Sequence, residues 1–327
     1  MRAVQNAREN HALLPLSSSL NTTAAASTTP STATRTRPPC SKIGKTRTTL
    51  ATEEQKLRDM PADILFPGDV FNSSVGGQFW GMRPYMRAGS AFIHALLDVD
   101  SRESVQMQLE HARDMLRLSR SDTVGIRSAM PGAMLQLGMD PECYDFLKWY
   151  ENDGPAGRLR LGGYGAAVPG REGVRMPSRM LGMCVTAVPR CVCVGAGVML
   201  VKVRMLLDLK DLHMQSTSAA GAVMADARQL RSSIIANNAE ILHRGDHTAA
   251  VALVEGQVKE LYRAIHSSNK HFWEVLLEPE EHLHAMPGMY SPGTLSEVQV
   301  MLRYIYPAWA MTPGELELAE DLTKRKL

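Results

Sequence analysis

Apolar residues recur three and four positions apart along most of the chain, the spacing that lines one face of an α-helix. The pattern becomes regular over 83–97 (RPYMRAGSAFIHALL), a helical stretch with one weak helix former, Gly89, inside it. Asp100, with Glu103 three positions on, makes the reciprocal capping pair that starts the next helix. Val105, Leu109, Ala112, Met115 and Leu116 then share one face. Asp122 repeats the design ahead of Ile126, Met130, Ala133, Met134 and Leu137, and Gly138 stands where a left-handed residue ends a helix. Pro131 is the discord, because inside a helix it removes a hydrogen bond at a cost of about 3 kcal/mol. Asp140-Pro141-Glu142 supplies a cap, a first-turn proline and an acid for the following helix. The apolar side of that helix is Cys143, Phe146, Leu147 and Tyr150.

Helical spacing returns at Val198 and continues through VMLVKVRMLLDLKDL. A further helix is expected over 222–243. Another, after Asp246, sets Val251, Val254, Val258, Leu261, Tyr262 and Ile265 on one stripe. Thr294 with Glu297 caps the next, buried through Val298, Met301, Leu302 and Ile305. The last opens on Thr312-Pro313-Gly314-Glu315, again cap, proline and acid, and ends in TKRKL, with cations at the negative end of its dipole. The expected fold class is all-α, helical hairpins forming an array or bundle.

The pattern divides the chain into four parts. Residues 1–60 form a Ser/Thr-rich tail with too little apolar surface to order itself. Residues 61–150 are a helical hairpin region. Residues 151–196, with six arginines against three acids and many glycines and prolines, read as an irregular insertion. Residues 197–327 continue the helical fold.

Composition narrows the function classes. With 327 residues, 44% hydrophobic and 21% charged, the chain has the make-up of a globular protein. A net charge of +2 argues against a nucleic-acid binder, and 6% aromatics leave little for base stacking. Five cysteines without paired spacing point to reduced thiols and an intracellular, cytoplasmic or nuclear, setting. The first 52 residues carry seven Lys or Arg and only Glu9 as an acid, as a mitochondrial transit peptide would, but they lack its apolar stripe. The run CVCVGAGVMLV, 191–201, is well short of the roughly 20 residues that span a bilayer. A buried helix or strand is expected there, and no membrane partner.

Few residues point to chemistry. His243 and His247 are four apart, but Gly245-Asp246 between them reads as a turn, and Arg244 stands where a zinc protease has its glutamate. His271, Glu281, His282 and His284 are the better metal candidates, since His-x-His can chelate beside carboxylates. A solvated loop between helices explains the same residues with less. Cys143 lies on an apolar helix face, which makes it a small core residue rather than a nucleophile. Cys184, Cys191 and Cys193 lack zinc spacing, and Gly195-Ala196-Gly197 lacks the third glycine of a dinucleotide loop. No cofactor and no metal are expected. Tyr144, Lys148 and Trp149, together with Phe272 and Trp273, are expected anchors for a partner on the open side of a helix pair, with packing on a neighbouring helix as the alternative. Twenty methionines fit a packed core or an adaptable surface.

Two runs, LRLSRSDTVGIR and LQLGMDPECYDFLKWY, resemble the helical hairpins of the tetratricopeptide superfamily. With RPYMRA, NKHFWEVLLEP and YIYPAWAMTPG they also resemble a largely fungal family of helical proteins, some of which carry a MYND-type zinc finger. The resemblance implies a helical region and no firm reaction. The clustered cysteine pairs of that finger are absent, so no zinc role is implied. The function expected is therefore a non-catalytic scaffold that binds a protein or peptide, against the alternative of a metal-dependent protein using His271, Glu281, His282 and His284.

Overall fold

The structure, a computed structural model, describes residues 39–61, 71, 80–119, 122, 124–153, 192–217 and 230–325. Among them are twelve α-helices and no strand, so the all-α expectation holds. In chain order they are α1 (Pro39–Arg58), α2 (Arg83–Leu96), α3 (Arg102–Leu118), α4 (Met130–Gln136), α5 (Asp140–Asp153) and α6 (Val192–Thr217). There follow α7 (Ser233–Ala236), α8 (Ala239–Leu242), α9 (Thr248–Ser268), α10 (Phe272–Leu277), α11 (Leu295–Ala310) and α12 (Glu315–Lys324). Helices α1 to α5 each pack on the next, but α6 is the axis, touching α4, α5, α9, α11 and α12. The arrangement is a bundle around a central helix. A stacked array, in which each repeat meets only its neighbours, does not describe it.

Helix α6 explains that centrality. From Val192 to Leu206 it is buried on every side, as a helix apolar all round must be. It is not a membrane segment: no helix among the described residues is long and apolar enough to cross a bilayer. Its first five residues lie inside 151–196, as do the last three of α5, so the segment read as irregular is helical at both ends. The rest of it, 154–191, lies outside the described residues, as do 1–38. The tail assignment fails over 39–58, where α1 packs along α2 by burying Leu50 and Leu57. Four threonines of α1 turn their hydroxyls back onto carbonyls four residues earlier, so those donors are satisfied inside the helix, and the helix is held by its packing on α2.

Two close approaches account for glycines inside helices. A Cβ on Gly89 would stand 2.7 Å from the Met115 sulfur, so its absence lets α2 and α3 close on each other. At Gly132 a Cβ would overlap the Tyr304 carbonyl oxygen, which is backbone of α11 and cannot rotate away. Gly132→Ala is therefore expected to cost about 3 kcal/mol, the upper end for overpacking. Urea unfolding followed by circular dichroism should show the midpoint fall with the slope unchanged.

Several caps differ from expectation. Ser101, one residue after Asp100, caps α3 by accepting from the Ser104 N–H. Asp122 does cap, with φ of 49°, its two carboxylate oxygens accepting from the Ile126 and Arg127 N–H groups. The element it starts is a single 3₁₀ turn, Ile126–Ser128, after which α4 begins afresh. That restart removes the discord at Pro131, which falls in the first turn of α4 where no N–H is needed. Gly138, at φ 74°, closes α4 with the Met139 N–H returned to the Met134 carbonyl. The helix expected over 222–243 is instead α7 and α8, split at Asn237-Asn238, where the Asn238 side chain accepts from Ile241 N–H; residues 222–229 lie outside the described residues.

Asp140 and Thr312, read as caps, have other work. Both bind Arg204, which is 4% exposed at the middle of α6. Its Nε donates to Glu315 Oε1 (3.1 Å). One terminal nitrogen donates to Asp140 Oδ1 (2.9 Å) and the Leu135 carbonyl (3.0 Å). The other donates to Thr312 Oγ1 (2.7 Å) and the Ala308 carbonyl (3.2 Å). All five guanidinium hydrogens are thereby used. The acceptors come from the ends of four helices, α4, α5, α11 and α12, so one side chain fixes how they meet. One turn on, Asp208 repeats the device: it accepts from the backbone N–H groups of Arg231 and Ser232 and from the Arg231 guanidinium. Burial pushes the Asp208 pKa up, and these donors pull it back. The second Asp140 oxygen takes the Ser233 N–H, so two buried carboxylates pin residues 231–233 onto the bundle.

Candidate functional site

Three of the four aromatic residues expected as anchors, Tyr144, Phe272 and Trp273, are core. Phe272 and Trp273 are 0% and 2% exposed, packed with Tyr262 and Trp309 at ring separations of 4.6 to 6.3 Å. The Trp273 Nε1–H donates to the Tyr262 carbonyl at 3.3 Å. Tyr144 is 4% exposed, its ring 5.8 Å from the buried Lys202 ammonium on α6. The physical reason is that α5 and α10 each meet neighbours on more than one side, so they have no open face there. Lys148 is exposed on α5, and the Trp149 side chain lies outside the described residues.

The remaining reactive groups are likewise absorbed. Cys143 is fully buried against the Pro131 carbonyl, and burial pushes its thiol pKa up, away from the nucleophilic thiolate. His247 is 2% exposed ahead of α9, with burial lowering its pKa, while His243 ends α8 in solvent. Among the described residues no three His, Cys, Asp or Glu side chains gather as a metal site. His271, Glu281, His282 and His284 follow the same pattern of separate duties. The His271 N–H donates to Asn269, His282 Nδ1 lies 3.1 Å from the Gln299 amide nitrogen, and Glu281 and His284 point to solvent.

These residues nonetheless border the most distinctive surface in the bundle, the connection between α10 and α11. It is fastened at both ends. At the near end His282 and Leu283 N–H groups return to the Pro279 carbonyl, and Leu283 packs on the core. At the far end Glu297 Oε2, 5% exposed as a residue, accepts from Gly293 N–H (2.7 Å) and from the Asn269 amide (3.0 Å). Asn269 also donates to the Thr294 carbonyl (2.9 Å), and the Thr294 hydroxyl to that of Ser291 (2.6 Å). Thr294 caps α11 as expected, although Glu297 serves Gly293 instead of closing the reciprocal pair.

Between those fastenings the loop holds apolar side chains in water. Met286 is 71% exposed, Met289 90% and Tyr290 48%. A single exposed apolar residue needs no explanation, but three within five positions on a fastened loop concentrate exposed apolar surface in one short segment. Unbranched, polarisable methionine suits a surface that adapts to a partner, and tyrosine adds rigid area with a polar tip. The sequence contained the signal: HAMPGMYSPGT sets its methionines among turn residues, off any helical stripe, where packing in the core cannot account for them. No protein-family model, no curated protein and no solved structure matches the chain.

Proposed function

We propose that the chain is a non-catalytic helical scaffold that binds another protein, and that Met286, Met289 and Tyr290 make the contact. The observation that carries this reading is the exposure of those three side chains on a loop whose ends are held by buried hydrogen bonds. Ordering cost is what weakens many loop contacts, and a loop already fastened has less of it left to lose on binding. The helical resemblance of the flanking blocks and an intracellular location fit this reading without adding a reaction.

The test compares full-length wild type with a Met286→Ala, Met289→Ala, Tyr290→Ala variant as bait in cell extract. A protein retained by the wild type should be lost from the variant, while the thermal midpoint stays nearly fixed, because exposed substitutions away from structural features cost within about 0.5 kcal/mol each. Equal retention by both baits would refute the assignment of the loop. Stoichiometric zinc binding by calorimetry, abolished in His282→Ala, His284→Ala, would refute the scaffold in favour of a metal-dependent role.

A further inference from the structure

We propose that Glu315 is a proton latch: α12 docks with Glu315 as the neutral acid, and loss of that proton favours its release. The argument begins with charge. A single guanidinium, Arg204, lies between two carboxyl groups, Asp140 and Glu315, and the three side chains are 4%, 0% and 0% exposed. With both acids ionised the cluster carries a net negative charge out of contact with water, an unfavourable state for a buried group. With one acid protonated it is neutral.

Hydrogen bonding says which acid keeps the proton. Both Asp140 oxygens accept N–H donors, from Arg204 and from Ser233. Glu315 accepts from Arg204 through Oε1; Oε2 is buried and, among the described residues, has no donor in hydrogen-bond geometry, the adjacent Thr312 hydroxyl being donated to the Ala308 carbonyl. An ionised oxygen without donor or water is the costly arrangement, whereas a carboxylic O–H there removes the charge. Among the described residues the neighbouring helices do not supply a second cation. From α6 the facing charge is Arg204, since Asp208 is engaged with Arg231, whose Nε serves the Pro313 carbonyl. From α5 it is Asp140; α11 presents the Thr312 hydroxyl, already donated to Ala308; Glu274 of α10 and Glu317, Glu320, Asp321 and Lys324 of α12 face solvent. Burial, only partly offset by Arg204 and the Thr312 hydroxyl, accordingly pushes the Glu315 pKa from 4.5 up to about 8.

The direction of the effect follows from linkage. A group whose folded pKa is raised gives stability that is whole below the unfolded value of 4.5 and is lost as pH rises through about 8. Glu315 is the first residue of α12, a short terminal helix that buries only Ala319 and Leu322 fully besides it, with Leu316 and Leu318 half-buried against the core. Ionisation therefore loosens that helix first.

Hydrogen exchange of the amides of 315–324 in full-length protein, corrected for intrinsic rates, tests this between pH 5 and pH 9. Wild-type protection should fall about tenfold per pH unit up to about pH 8 and then level, while Glu315→Gln, which is neutral throughout, stays flat. A flat wild type, or the same slope in both proteins, would overturn the latch. Should the variant not fold, the carboxyl ¹³C resonance of Glu315 in labelled wild type decides: a midpoint near 8 supports the proposal, and one near 4.5 overturns it.

Discussion

Arg204→Met is expected to remove about 3–5 kcal/mol of stability, the cost of breaking a buried ion pair by deleting one partner. That is a large share of the roughly 5–15 kcal/mol that holds a domain folded. The substitution strands Asp140, two helix-end carbonyls and the Thr312 hydroxyl without their donor, in a site that water does not reach. Arg204→Lys should do little better. A lysine has three donors on one nitrogen and cannot reach acceptors spread around a planar fork. The informative comparison is Arg204→Met with Asp140→Asn and Glu315→Gln in one chain. If the charges are what the single variant leaves unpaired, the triple variant recovers most of the loss, because replacing a whole buried ionic group is often close to neutral. Chemical unfolding of the three proteins at pH 6 checks it. A triple variant weaker than Arg204→Met would show that Arg204 acts by shape and not by charge.

The same cluster shows where the sequence could be read and where it could not. Helical period, breakers and caps placed the starts of α2, α3, α5, α9, α11 and α12 to within a residue or two, because those signals are local and each residue states its own. Asp140 and Thr312 also looked like caps, and the motif was sound as a mark of where a helix begins. Their side chains, however, answer to Arg204, which is 64 and 108 positions away in the chain. Nothing within a turn of Arg204 announces that partnership; a lone arginine in VMLVKVRMLLDL reads as an interruption of an apolar stripe.

Three of the five expected binding residues are buried for a related reason. Tyr144, Phe272 and Trp273 are aromatics on helices that have a free side in a two-helix picture, and the bundle gives those helices more neighbours than a hairpin has. Met286 and Met289 were hidden by the opposite habit, that methionine in a helical protein is core. Residue type alone does not separate the two fates. What separates them is whether the residue lies on a helical stripe or among prolines and glycines.

Trp273→Ala turns that distinction into a measurement. As a core residue, Trp273 is expected to cost about 3–5 kcal/mol on truncation, the range for removing a large buried aromatic. It stacks on Tyr262 at 4.6 Å, meets Phe272 edge-on at 5.0 Å and Trp309 at 6.3 Å, and its indole N–H satisfies a backbone carbonyl. Alanine would leave a cavity bounded by three aromatic rings that belong to different helices and cannot all collapse into it. At roughly 2–4 °C per kcal/mol for a domain of this size, the thermal midpoint should fall by about 6–20 °C. Trp273→Phe keeps most of the volume, loses the N–H, and should fall between. The opposite outcome is equally clear: if Trp273 were an anchor for a partner, the alanine variant would unfold at the wild-type temperature and lose only binding. A calorimetric scan of wild type, Trp273→Phe and Trp273→Ala ranks the three, and the order expected from burial is wild type, phenylalanine, alanine.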